Sequence, residues 1–154
     1  MHARPSSRPL RSAFRRARPL GCALVLALGL VACQSEEARL AEHMERARAY
    51  LDEKKPSEAA IEFKNALQLA PNDAKAHFGL AEAYLANKEA QKAFWEFQET
   101  VRLDGSNLDA RLALGQFLLL GQESEFEQAR EQGEAVIAAD PNRWEGYVLR
   151  AAAL

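Results

Sequence analysis

The chain of 154 residues carries 20 basic and 22 acidic side chains, a formal charge of −2. With 48% hydrophobic residues and two cysteines it is neither a disordered tail nor a disulfide-stapled miniprotein, and its length fits one domain. The charge is unevenly spread. Residues 1–32 hold six arginines (Arg4, Arg8, Arg11, Arg15, Arg16, Arg18) and no acid, which leaves 14 basic against 22 acidic side chains beyond them, a net of −8 that argues against a nucleic-acid binder.

Leu20 to Ala32 is a 13-residue apolar run behind that basic segment. It is too short to cross a bilayer as a helix, which takes about 20 residues. A basic stretch, a short apolar stretch and small residues before a break are the parts of a secretory signal. The break, Leu30-Val31-Ala32-Cys33, resembles the bacterial lipobox. The resemblance implies that Cys33 is lipidated: its sulfur takes a diacylglyceryl group, the chain is cut before it, and the new amine is acylated. Several acyl chains anchor stably where one would be marginal. Cys22 is the poorer match, because Pro19 stands three residues before it and the apolar run follows it. Cys22 is then lost with the leader, which leaves one acylated cysteine and no intramolecular disulfide. The alternative is an uncleaved anchor with a buried Cys33. Phe14-Arg15-Arg16 lacks the flanking residues of a twin-arginine signal, so ordinary Sec export is expected, and Gln34 after the cysteine leans towards the outer membrane. The expected organisation is a signal peptide over 1–32, an acylated Cys33 with a tether to residue 39, and a folded region over 40–154.

That region repeats. Shifted by 34 residues, Ala47 meets Ala81 and then Gly115; Tyr50 meets Tyr84; Ala59 meets Ala93; Phe63 meets Phe97; His43 meets His77; Pro71 meets Gly105. A further shift of 36 carries Gly115 to Ala151 and Gly105 to Pro141, with the two extra residues in the turn Gly121–Glu125, where added length costs little. Apolar residues recur at three- and four-residue steps, as in Met44, Ala47, Tyr50, Leu51 and in Ile61, Phe63, Ala66, Leu67. Pro71-Asn72-Asp73 and Pro141-Asn142-Arg143 each close one helix and open the next, and Ser106-Asn107 does the same after Gly105. The pattern predicts an all-α chain with helices over 36–54, 57–70, 73–87, 89–103, 107–120, 123–139 and 143–154.

Period and residues together resemble the tetratricopeptide repeat (TPR), from Leu40 to Leu154. The resemblance implies an α-solenoid of antiparallel helix pairs, about three and a half repeats with the last incomplete. The small residues Ala47, Ala81, Gly115 and Ala151 face Ala59, Ala93 and Ala129 so that paired helices approach closely, and the aromatics fill the space between units. One pair cannot bury its apolar face alone, and stacking makes the core continuous. Burial of Tyr84 or Phe97 is worth roughly 1.5–3 kcal/mol each. Gly133 stands where Phe63 and Phe97 stand in earlier units, which predicts a cavity there. Arg46 and Arg150 take a slot held elsewhere by Leu80 and Leu114. The string Ala59–Pro71 behind a lipobox is similar to TPR lipoproteins found beside exopolysaccharide and PEP-CTERM sorting systems, and to TPR pilotins that help assemble pilus secretins.

The sequence stops after the first helix of a fourth unit, and solenoids need a polar terminal cap. Residues 143–154 are therefore expected to continue into a longer protein or to pair with a second copy or a partner. Chemistry is sparse. His43 and His77 are repeat equivalents that read as a shared packing slot, and no set of His and Cys converges as a zinc site needs. Glu36-Glu37 and Glu123/Glu125/Glu127 read as solvated charge, Ser106 and Ser124 lack a catalytic constellation, and no phosphate-binding glycine loop occurs. No enzyme activity, cofactor or metal is expected. In the TPR family the first helix of each pair lines a groove. Carried onto this chain, the groove slots are Met44, Arg48 and Leu51; Lys75, Phe78, Glu82 and Leu85; Asp109, Leu112, Gln116 and Leu119. They lack the Lys/Asn pattern that clamps a C-terminal carboxylate, and an apolar groove suits an amphipathic helix or an extended segment. Several of these residues could equally pack as plain core. The expected function is a lipid-anchored, periplasm-facing scaffold for a protein or peptide partner. The alternatives are an assembly factor for a pilus or polysaccharide secretion machine, and a targeting arm for an enzyme domain beyond residue 154.

Overall fold

The computed structural model describes the backbone of residues 20–154 and the side chains of residues 36–154. The signal peptide over 1–32, its cleavage site and the lipidation of Cys33 lie outside the described side chains. The chain divides into two compact units, residues 1–34 and 35–154. In the first, only helical backbone from Leu20 onward is described.

The described residues form seven α-helices and no strand: α1 (Leu20–Asp52), α2 (Pro56–Leu69), α3 (Ala74–Ala86), α4 (Ala90–Leu103), α5 (Leu108–Leu119), α6 (Phe126–Ala139) and α7 (Trp144–Ala152). Six of the seven fall within a few residues of the predicted spans. The first differs at its start, because the helical backbone of α1 begins at Leu20 where the predicted span opens at residue 36, and residues 36–39, expected as a tether, are exposed turns within it. Glu36, Glu37, Ala38 and Arg39 are all good helix formers, and nothing among them breaks the backbone.

Local chemistry sets the ends. The Asp73 carboxylate accepts from the backbone N–H groups of Lys75 (2.8 Å) and Ala76 (3.1 Å), and Asn107 accepts from that of Ala110 (2.9 Å), so α3 and α5 each start on a side-chain cap. Pro56 starts α2, where its missing N–H costs nothing. The first two hairpins turn alike: Lys54 and Lys88 adopt φ of 58° and 62°, and the N–H groups of Lys55 and Glu89 reach back to the carbonyls of Tyr50 and Tyr84, both at 2.8 Å. In the third, the two-residue insertion becomes a short 3₁₀ turn over Glu123–Glu125.

Helices pack in sequence, α2 on α3 through α6 on α7, with α5 also touching α7. The small slots do what their size requires. Ala47, Ala59, Ala81, Ala93 and Ala129 are fully buried and Gly115 is buried, whereas Ala151 is exposed. Phe63 and Phe97 are buried, and Phe97 stacks edge-on to Phe78 at 5.9 Å. A repeated polar staple ties the pairs: His43 Nδ1 meets Glu62 at 2.6 Å, His77 Nδ1 meets Glu96 at 2.7 Å, and in the third pair Arg111 donates to Gln132 at 2.8 Å. The shared histidine slot is thus a link between helices.

The cavity expected at Gly133 is absent. A Cβ there would lie 2.9 Å from both the Arg150 nitrogen and the Gly146 oxygen, so α6 and α7 meet backbone to backbone. Volume is redistributed across the interface: Phe63 fills the space over Gly79, whereas beside Gly133 the large residue comes from α7, as buried Leu149 pressed on Gly115. Gly133→Ala should therefore destabilise by about 1–3 kcal/mol through overpacking, although an alanine in an open helix would stabilise by about 1 kcal/mol. Urea denaturation of the two proteins checks the sign.

The hydrogen bond from His43, helped by Arg46 at 3.3 Å, holds the Glu62 carboxyl below its ordinary pKa. A depressed folded-state pKa contributes stability that is complete above the unfolded value and is lost as pH falls through the folded one. Stability should therefore decline below the normal carboxylate range, and Glu62→Gln should flatten that decline. Thermal melts between pH 7 and pH 3 provide the comparison.

Candidate peptide groove

The first helices of successive units bring part of the predicted set together. A cavity of about 410 Å³ is lined by Arg48, Leu51 and Asp52 of α1, Phe63 of α2, Lys75, Phe78, Gly79 and Glu82 of α3, and Asn107 before α5. Five predicted residues, Arg48, Leu51, Lys75, Phe78 and Glu82, are in this wall. Gln116 and Leu119 line a second, smaller hollow of about 150 Å³ with Trp144, Glu145, Val148, Leu149 and Ala152. Leu85 and Asp109 are exposed but line neither hollow. Met44 and Leu112 are buried in the core, where the alternative reading of these slots as packing residues put them.

The residues missed at the far end were within reach of the sequence. Carrying Asp109, Leu112 and Gln116 forward by the 36-residue shift lands on Glu145, Val148 and Ala152. Asp52 and Asn107 had no such signal, since one stands at a helix end and the other serves as a cap.

Electrostatics sharpen the first cavity. Some opposite charges on the array close on each other, as Glu89 does with Lys92, Glu99 with Arg102 and Glu127 with Arg130. Asp109 is held by Arg143. Among the described residues the side chains of Arg48, Lys75 and Glu82 close on no partner. The Glu82 carboxylate reaches solvent, but the walls of the concavity displace water around it. That desolvation, with the nearby charge of Asp109, pushes its pKa up against a smaller opposing pull from Arg48.

A third hollow, of about 500 Å³, lies near the α5–α6 turn among Ala90, Gln91, Phe94, Phe117, Leu120, Gly121 and Glu125. Phe94 there meets Trp95 edge-on at 5.2 Å, and Trp95 and Leu120 are exposed. Among the described residues no group of His, Cys, Asp and Glu side chains is arranged to hold a metal ion, and no helix is long and apolar enough to cross a membrane.

The tetratricopeptide-repeat family model matches residues 50–94. No curated protein sequence matches the chain. Among solved structures, the second TPR domain of human RPAP3, in complex with an HSP70 peptide, is 18% identical with a TM-score of 0.64, over 77% of this chain and 97% of that one. The first TPR of Spaghetti (RPAP3), bound to an HSP90 peptide, is 21% identical with a TM-score of 0.66, over 75% and 90%. MamA is 24% identical with a TM-score of 0.60, over 74% and 71%. The helical array of this chain has the fold of a tetratricopeptide-repeat solenoid.

Proposed function

We propose that this chain is a lipid-anchored TPR scaffold that holds a protein or peptide partner in the bacterial envelope. The observation that carries the reading is the cavity between α1 and α3, which presents apolar side chains beside charges left without partners. Leaving such groups unpaired offers nothing to the fold and suits a surface that a ligand completes. TPR domains of the same fold in the RPAP3 structures were solved with peptides bound. The basic leader, the apolar run and the lipobox ending in Cys33 support acylation and a periplasm-facing position, with Gln34 favouring the outer membrane. The string Ala59–Pro71 supports a place beside a polysaccharide-export or pilus-assembly machine, where the scaffold would act by recruitment.

The two halves of the reading separate experimentally. Cys33→Ser should abolish labelling by radioactive palmitate, whereas globomycin, which blocks the cut before the lipidated cysteine, should leave the wild type labelled but larger by its uncleaved leader. Palmitate incorporation at wild-type level in Cys33→Ser would refute the anchor.

Arg48→Glu combined with Leu85→Asp changes two exposed positions. Helicity should stay intact by circular dichroism, with loss of whatever partner the wild type retains on affinity capture. Leu112→Asp places a charge in the core and should unfold the array instead, by roughly 3 kcal/mol or more. Capture that survives in the exposed double variant would move the binding surface elsewhere.

A further inference from the structure

The large cavity has a polarity that narrows the partner. Arg48 and Glu82 occupy the same slot in consecutive units, 34 residues apart, and the third unit places Gln116 there. Both charged residues line the cavity, with Phe78 and Leu51 supplying the apolar part of its wall. Neither charge closes on the other, although each feels the other's field. The like charge of Asp109, in the first turn of α5, adds to the upward push on the Glu82 pKa. The lining therefore holds two cations, Arg48 and Lys75, and the acid Glu82, with Asp109, itself paired to Arg143, outside the cavity. Asp52 adds one acid at the end of α1.

Resting on the peptide-holding reading above, we propose that the groove selects a protein segment that seats a bulky apolar side chain against Phe78 and Leu51, flanked by a lysine or arginine for Glu82 and an acid for Arg48. The physical reason lies in Glu82. Its carboxylate is held in a concavity that removes water and beside a second acid, so an arriving cation relieves two penalties at once. Arg48 is exposed on the same wall and answers an anion in the same way. The apolar contact supplies the affinity, and the charge pair fixes the direction in which the segment lies. The cavity volume of about 410 Å³ admits one large side chain with its neighbours but not a folded surface. The acidic peptides SGPTIEEVD and SRMEEVD held by the RPAP3 domains carry the opposite emphasis. Here an all-acidic segment would meet Glu82 and Asp109.

The test is a peptide selection on the full-length protein, purified in detergent micelles and immobilised. A random 12-residue phage library is panned on the wild type, on Glu82→Lys and on the charge-swapped Arg48→Glu/Glu82→Lys variant. Wild-type selections should converge on an apolar residue with an acid on one side and a base on the other. Synthetic copies should bind Glu82→Lys roughly tenfold more weakly, and peptides with the two charges exchanged should regain affinity on the double variant. Equal affinity for wild type and Glu82→Lys, or selection of purely acidic or uncharged peptides, overturns the inference. If those same peptides are still lost on Arg48→Glu/Leu85→Asp, the groove reading stands without it. Selections from which no peptide emerges on the wild type overturn both.

Discussion

The array depends on conserving volume across each step from one helix to the next. Where a unit offers a large aromatic to its successor, the successor thins: the Phe63 ring occupies the space a side chain at Gly79 would need. At the third step the roles reverse. Gly133 lets α6 meet the backbone of α7, and Leu149 supplies the bulk from the other side by pressing on Gly115. Cores are packed densely enough that a mismatch in either direction costs kilocalories. Large and small residues must therefore alternate across an interface, though which helix carries which is free to change. The buried alanines Ala47, Ala59, Ala81, Ala93 and Ala129 impose the same constraint inside the pairs, where any larger side chain would force the two helices apart.

A second constraint acts on polar groups and shows the same freedom of means. One slot near the start of each first helix must tie the helix to its neighbours, and it is filled by His43, His77, Arg111 and Tyr147 in turn. The first three bond to the second helix of their pair through Glu62, Glu96 and Gln132. His77, Arg111 and Tyr147 also reach the carbonyls of Pro71, Gly105 and Pro141, six residues back in the preceding turn. An imidazole, a guanidinium and a phenol serve one geometric purpose. Each satisfies a carbonyl that the turn leaves free and pins the turn to the following helix.

Period, helix spans and the small slots were legible because they rest on local rules: apolar spacing, caps at Asp73 and Asn107, and proline punctuation. The insertion in the third turn was legible from register alone. Gly133 was misread as a cavity because a missing aromatic can be answered by a shift of the next helix, and α7 lies outside the sequence window of that slot. The groove was half legible. Helical phase assigns Met44, Phe78 and Leu112 to one face, but whether that face meets solvent depends on how far neighbouring units close over it. Met44 and Leu112 are covered whereas Phe78 still lines a cavity. The spread of charges along the groove was visible as residue types. That they stay unpaired is a three-dimensional fact, since neither Lys75 nor Glu82 has an opposite charge three or four residues away and any partner would have to come from another helix.

The division of labour between folding and recognition falls between adjacent residues. Ala47, Ala81 and Gly115 are small because the helices packed on them leave no space, Leu149 of the next unit in the case of Gly115. The very next residues, Arg48, Glu82 and Gln116, differ in charge in every unit because the fold asks nothing of them. On a helix, neighbours in sequence point about 100° apart, so one can face the pair while the next faces the groove. A solenoid repeats that arrangement at fixed spacing, so the identities of the free residues become a linear pattern along one surface. Stability then constrains one set of positions and binding another, and a change in the second alters which segment is held while leaving the stacking that presents it unchanged.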